Sequence, residues 1–311
     1  MPCRLVRLTL LWTAFALGLC LCAAPRSARA QCTDWTPSNE PHTSGLPSSV
    51  YAFAKWDPDG DGPEPIRLVA AGSYVRSGAV PLNRIAFFDG DDWQPFGDGL
   101  PFIVRALTVF DGQLYAGGQS YFDGVSTVYH VHRWNGLAWE RIGNSFNGPM
   151  RSFLVYKGGL YAAGVFNTCG GQVVGPIVRW NGSQWVSLGL SGSSVVLCLA
   201  EYQGDLYTGG ALDPNFISPL VMKWNGSSWT GWGSQTFAGE YVATLVVDQE
   251  NLVACGPFTL RVPSGSPVAP KTLVAWNGSS WQGIGCELRG TSDCVIDAVV
   301  YGGKLHLCGA F

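Results

Sequence analysis

Residues 151–164 read RSFLVYKGGLYAAG, and residues 177–189 read IVRWNGSQWVSLG. The first stretch holds two strand-type runs, Arg151 to Tyr156 and Leu160 to Gly164, split by Lys157-Gly158-Gly159. β-Branched and aromatic residues favour strands, and a Lys-Gly-Gly triplet favours a turn. The second stretch adds Ile177 to Trp180 and Gln184 to Leu188, split at Asn181-Gly182. Asn and Gly both tolerate the positive φ that a type I′ hairpin turn demands. No helical period runs through either stretch. The unit is four short antiparallel strands.

The unit repeats along the chain. Small-residue–Gly doublets place their second residue at Gly72, Gly118, Gly164, Gly210, Gly256 and Gly309, at intervals of 46 residues four times and then 53. An aromatic followed five residues later by Trp recurs as Phe88/Trp93, Trp134/Trp139, Trp180/Trp185, Trp224/Trp229 and Trp276/Trp281. A Gly closes each unit, at Gly97, Gly143, Gly189, Gly233 and Gly285. Four strands in a repeat of this length make a propeller blade. A lone four-stranded sheet cannot cover both of its faces, so neighbouring sheets must stack. The paired Trp rings fall on one face of each hairpin whether its loop has two or four residues, and are expected to pack between blades. The expected fold is an all-β propeller of four-stranded antiparallel blades. About six blades are visible and the last is incomplete, as in a six- or seven-bladed ring cut short.

A blade with L-Y-A-G-G ending its second strand and an aromatic-x4-Trp hairpin after it resembles the kelch and galactose-oxidase class of propellers. The W-N-G-S-S-W…G units are more closely similar to secreted bacterial propeller proteins of unassigned function. The resemblance spans Ser49 to Phe311. It departs from the usual kelch pattern in having Trp where Tyr commonly opens the third-strand motif, at a spacing of five. The resemblance implies the fold; it carries over no catalytic residue, because propellers host many functions. Positions matching the copper and tyrosyl site of galactose oxidase are not found.

Residues 1–30 read as a signal peptide. Arg4 and Arg7 precede an apolar run from Leu8 to Ala24, and Ala28-Arg29-Ala30 offers a cleavage site. Residues 31–311 are then the propeller. Blades are expected at about 49–100, 101–146, 147–190, 191–234 and 235–286, with a partial blade at 287–311. Residues 31–48 are expected to supply an orphan fourth strand, because Cys32 to Pro37 lines up with Asp91 to Pro95. No third strand follows in the last blade, so truncation beyond Phe311 is the favoured expectation, with an imperfect closing blade as the alternative.

Composition narrows the function. The chain has 311 residues, 47% of them hydrophobic and 13% charged, with a formal net charge of −3. Removing residues 1–30 takes four Arg and no acid, leaving 15 basic against 22 acidic residues. Such a balance gives no footprint for nucleic acid. No membrane span is expected in the mature chain, and the oligomeric state stays open.

Several residues invite chemistry. Asp57, Asp59 and Asp61 in D-P-D-G-D-G resemble the opening of a calcium loop. The pattern then needs Glu where Leu68 stands, so a calcium ion would rely on carbonyls and water; a merely solvated turn is the alternative. His130 and His132 alternate on one strand face, and a packing role is favoured there over a metal site. Seven Cys follow residue 30, and Cys286 with Cys294 is the best local disulfide pair. No other cofactor is expected. Trp134, Trp139, Trp180, Trp185, Trp224, Trp229, Trp276 and Trp281 are read as structural.

A binding face is expected where the loops diverge, on the side of the blade reached by the second-to-third strand loops. Its candidates are Tyr74, Arg76, Tyr121, Phe122, Phe166, Asn167, Phe216 and Arg261. The functional expectation is a secreted binding or scaffold module that presents loops to an extracellular protein or glycan. The alternatives are a structural repeat of a larger surface protein and a fragment of a carbohydrate-active or metal-dependent enzyme. Ionisable residues converging around the central channel mouth favour catalysis; a face of aromatics and amides without a titratable cluster favours binding.

Overall fold

The computed structural model describes residues 4–6, 45–190, 194–212, 220–231, 236–239, 241–261, 272–284 and 294–310. Every regular element among them is a β-strand. The chain divides into two compact units, Ser38–Trp232 and the pair of segments Met1–Pro37 and Gly233–Phe311.

The unit Ser38–Trp232 holds four meanders of four antiparallel strands; the second is widened by the short strands Tyr121–Phe122, Thr168–Cys169 and Gln172–Val173, and Arg76–Ser77 pairs with Val80–Pro81 in a two-stranded sheet of its own. Sheet 1 runs Val50–Trp56, Arg67–Gly72, Ile85–Phe88 and Trp93–Pro95. Sheet 2 runs Val104–Phe110, Gln113–Gly118, Thr127–Trp134 and Trp139–Phe146. Sheet 3 is Met150–Tyr156, Gly159–Gly164, Ile177–Trp180 and Trp185–Ser187. Sheet 4 is Val195–Tyr202, Asp205–Ala211, Val221–Trp224 and Trp229–Gly231. The first strands of the four sheets lie side by side, so the sheets fan out from them as propeller blades do.

Apolar layers between successive sheets hold this fan together. Ile85 and Phe96 of sheet 1 share a core with Leu114 and Trp134 of sheet 2. Val131 and Phe146 of sheet 2 share one with Met150, Val178 and Trp185 of sheet 3. Ile177 and Leu188 of sheet 3 meet Val196 and Leu206 of sheet 4, with Trp224 and Trp229 packed against them. Each Trp pair sits in direct register, as in Trp180 opposite Trp185, with ring centroids 5.1 Å apart.

The indoles and phenols also bond from sheet to sheet. Trp139 Nε1 donates to the Phe96 carbonyl and Trp229 Nε1 to that of Leu188, both at 3.1 Å. At the ends of first strands, Trp56 Nε1 donates to Gly112 O at 2.9 Å and Tyr156 Oη to Gly204 O at 3.0 Å. A buried ring that also satisfies its polar atom contributes both area and a directional bond.

The periodic glycines have two separate causes. The first strand of each of these sheets slips register by one residue against the second, a β-bulge. The extra residue is Tyr51, Arg105, Arg151 or Leu197. Opposite the bulge sit Gly72, Gly118, Gly164 and Gly210, where an added Cβ would lie 2.1 Å from the carbonyl oxygen of Ser49, Ile103, Pro149 or Val195. The closing glycines answer to something else. A Cβ on Gly97 would meet the Trp134 ring, and one on Gly143 the Trp185 ring, each at 2.8 Å.

The third-to-fourth strand turns differ from the sequence expectation. Asn181 is not left-handed; Gly182 alone has positive φ, at 99°. The loop has four residues, and the Asn181 Oδ1 accepts the backbone N–H groups of Ser183 and Gln184 at 3.0 and 2.9 Å. Asn135, Asn225, Asn277 and, in sheet 1, Asp89 do the same. The side chain closes the turn, so Asn or Asp is wanted for its oxygen rather than for αL tolerance.

The second unit holds a four-stranded sheet of Thr244–Asp248, Asn251–Cys255, Leu273–Trp276 and Trp281–Gly283. Its Val253 and Leu273 pack against Val295 and Leu305 of the last sheet. That last sheet pairs Cys294–Tyr301 with Lys304–Ala310, bulged at Ile296. A third strand, Arg4–Val6, lies antiparallel to Leu305–Leu307, inside the segment read as a signal peptide. The expected orphan strand and Cys286 fall largely in 7–44 and 285–293, outside the described residues.

Candidate functional site

The bulges fix where side chains leave the fan. A bulge bends an edge strand and re-aims the extra side chain. Three successive first strands carry Tyr51, Arg105 and Arg151 at this one position, all beside the Gly doublets. The Arg105 guanidinium lies over the Tyr51 ring, 3.8 Å from its centroid. Its Nε is buried and has no hydrogen-bond partner. A hydrogen bond from Ser49 is the largest influence on the Tyr51 phenol, and with Arg105 and Ser73 it holds that phenol below its ordinary pKa. The Ser48 and Ser73 hydroxyls are 2.8 Å apart nearby. Phe53, two residues along the strand from Tyr51, is 58% exposed. Glu201, beside the turn at the other end, is the one carboxylate on the four first strands.

These arginines lie on strands, outside the loops where a binding face is expected from the sequence. The signal is a fixed offset: Arg105 and Arg151 each stand thirteen residues before the second Gly of their repeat, Gly118 and Gly164.

The loop candidates separate on inspection. Tyr74 and Phe166 are corrected: both are buried, Tyr74 donating its hydroxyl to Ala70 O and Phe166 packing at a tilt against Phe146 with ring centroids 4.6 Å apart. Large aromatic rings in these loops fill the core because the loops fold back as hairpins, such as Thr168–Cys169 with Gln172–Val173. Arg76 and Phe122 are exposed, and each lies in a small hairpin. Asn167 is exposed and accepts the Asn147 amide at 2.7 Å, which ties its loop down. Phe216 and the Arg261 side chain lie outside the described residues.

Asp57, Asp59 and Asp61 lie on an exposed turn. Its carboxylates bond to the local backbone, with Glu64 N–H donating to Asp59 Oδ2 at 3.0 Å. Among the described residues no group of three or more His, Cys, Asp or Glu is placed to hold a metal ion. Cys169 is buried, and burial pushes its thiol up to about 11.

His130 and His132 do share a face, their ring centroids 6.4 Å apart. His132 is 5% exposed and packs on Phe102 and Tyr121. Burial, then the neighbouring His130 and Arg141 charges, lower its pKa to about 4. The unfolded chain binds a proton near pH 6.5 that the folded chain refuses until about pH 4, so stability is complete above that window and falls as pH drops through it. Between pH 7 and 4.5 denaturant titration should lose about 2–3 kcal/mol through this group, and His132→Phe should flatten the slope. An unchanged slope in the variant would assign the acid sensitivity elsewhere.

No family model matches the chain, and no curated protein matches it. Among solved structures it is similar to the extracellular domain of the hybrid two-component system BT4673 from B. thetaiotaomicron. That match has 9% identity and a TM-score of 0.49, covering 83% of this chain and 37% of that one. It is also similar to YjhT, at 11% identity and a TM-score of 0.46, covering 86% and 95%. The designed protein Ika4 matches at 12% identity and a TM-score of 0.36, covering 58% and 94%. This chain therefore spans well under half the length of the first. No helix among the described residues is long and apolar enough to cross a membrane.

Proposed function

We propose that the protein is a secreted, kelch-like propeller module that binds an extracellular glycan or protein at the Gly-doublet ends of its first strands. The observation that carries this is the row of Tyr51, Arg105 and Arg151, displayed by bulges on adjoining strands beside exposed Phe53. Guanidinium groups and aromatic rings hold ligands; they do not relay protons at neutral pH. The third-to-fourth strand turns at the other end are closed by their own Asn side chains, whose oxygens are thereby used locally. Rigid strands position such a site better than loops.

The test is a panel of immobilised extracellular polysaccharides, neutral and acidic, together with extracellular matrix proteins, probed with the purified mature chain. Binding that Tyr51→Ala weakens at least tenfold is the expected result. Retention by no member of the panel, or binding indifferent to Tyr51, would overturn the reading.

A further inference from the structure

We infer that Asn181, Asn225 and Asn277 convert themselves to aspartate by intramolecular deamidation, so that three blade turns are self-modifying sites. Each begins the sequence N-G-S and stands exposed at a third-to-fourth strand turn. Each turn gathers the parts of an acyl transfer: an amide carbon, the adjoining backbone nitrogen and fixed donors on the carbonyl oxygen.

The side-chain oxygen is held as an oxyanion would be. Asn181 Oδ1 accepts Ser183 N–H, Gln184 N–H and the Ser183 hydroxyl at 3.0, 2.9 and 3.0 Å. Asn225 Oδ1 takes the same three from Ser227 and Ser228, at 2.9, 2.8 and 3.0 Å. Asn277 Oδ1 takes them from Ser279 and Ser280, at 3.0, 2.9 and 3.0 Å. Donors fixed around a carbonyl oxygen stabilise the charge it gains when its carbon is attacked. The nucleophile is the backbone nitrogen of Gly182, Gly226 or Gly278. The bonds that close the first turn use the N–H groups of Asn181, Ser183 and Gln184 and pass over that of Gly182. Beyond its chain neighbours, nothing lies within 4 Å of where a Cβ on any of the three glycines would stand, so the approach is open.

The Gly182 nitrogen gives up its proton and bonds to Asn181 Cγ. Nδ2 takes up a proton and leaves as ammonia, which closes a five-membered imide. Water then opens the imide at Cγ, restoring the ordinary peptide bond and leaving a carboxylate. Opening at the backbone carbonyl would instead add an atom to the main chain, in a turn whose ends are pinned by the Trp180–Trp185 pair.

Sheet 1 already carries the product. Asp89-Gly90 fills the equivalent turn, and Asp89 Oδ1 accepts the Asp91 and Asp92 N–H groups at 2.9 and 2.8 Å. Those bonds, that of Asp92 first, hold the Asp89 carboxyl below its ordinary pKa. A carboxylate thus closes this turn as an amide closes the others, and a converted blade keeps its hairpin. Conversion of all three raises the acidic residues from 22 to 25. Asn135-Gly136 is the internal comparison. Its Oδ1 has the two N–H donors, but Leu137 stands where the others have Ser, and the Glu140 carboxylate 3.5 Å from its Nδ2 opposes negative charge there.

Peptide mass spectrometry of the mature chain, aged at mildly alkaline pH, reads each site as the mass gained when an amide becomes an acid. Asn181, Asn225 and Asn277 are each expected to convert at least threefold faster than Asn135, and at least threefold faster than in the same chain unfolded in guanidinium chloride. Ser183→Ala should slow Asn181 at least twofold and leave Asn225 and Asn277 unchanged. Gly182→Ala should slow it tenfold or more; Ser183→Ala, which keeps both N–H donors, decides the matter where that variant distorts the turn. Asn181→Asp should leave the melting temperature unmoved. Faster conversion in the unfolded chain would mean that the turn shields its Asn, and would overturn the inference. Equal rates at Asn135, or no slowing in Ser183→Ala, would do the same.

Discussion

Gly118→Ala is expected to destabilise the protein by about 3 kcal/mol, at the high end for adding one methyl group to a packed site. An added Cβ at Gly118 would stand 2.1 Å from Ile103 O and 2.9 Å from the Arg105 nitrogen. Both obstacles are backbone, so no rotamer change relieves the clash. The carbonyl cannot retreat freely either, because it accepts the Gln119 N–H at 3.0 Å. Relief requires unbending the bulge at Arg105, which breaks local pairing and turns the arginine away from its place. Equilibrium denaturation of Gly118→Ala beside Gly112→Ala is the check on sterics. A methyl group added at Gly112 would meet nothing within 4 Å, but the residue has φ +70, so its cost should come from backbone strain alone and stay near ~1 kcal/mol. Equal costs at both positions would refute the bulge explanation.

Trp185→Ala should cost about 3–5 kcal/mol, the range for truncating a large buried ring. The ring is 5% exposed and packs on Trp180 of its own sheet and on Phe146 of the sheet before it, at 5.1 and 5.9 Å between centroids. It also covers Gly143, whose positive φ of 63° brings the backbone up against the indole. Truncation therefore opens a void between two sheets rather than within one. Trp139 differs in that its Nε1 bonds to Phe96 O, while the Trp185 Nε1 is buried without a partner. Trp185→Phe should accordingly be milder than Trp139→Phe relative to the area each removes. A denaturation midpoint unmoved by Trp185→Ala would remove the ring from the stabilising layer.

Strand order, the Trp pairs and their stacking partners were legible in residues 151–189 because each depends on local patterning of period two and on ring burial. The bulge was not, since nothing in the Gly doublet itself says which strand presses on it. Gly164 looks the same whether a ligand or the Pro149 carbonyl approaches it. Asn-Gly marks the position of each turn but not its mechanism, because the pair serves both a two-residue turn and a side-chain-closed one. Tyr74 and Phe166 were misplaced onto the surface for a related reason. A variable loop reads as polar connection until its own hairpin turns an aromatic inward. Arg105 and Arg151 were visible only as members of a column, once the thirteen-residue offset from the Gly is known.

Hydrogen exchange of Trp185→Ala measures most directly whether each sheet depends on its neighbour. Faster exchange is predicted in Thr127–Trp134 and Trp139–Phe146 of sheet 2 as well as in Ile177–Trp180 and Trp185–Ser187 of sheet 3. Acceleration confined to sheet 3, with sheet 2 protected as in the parent, would contradict it.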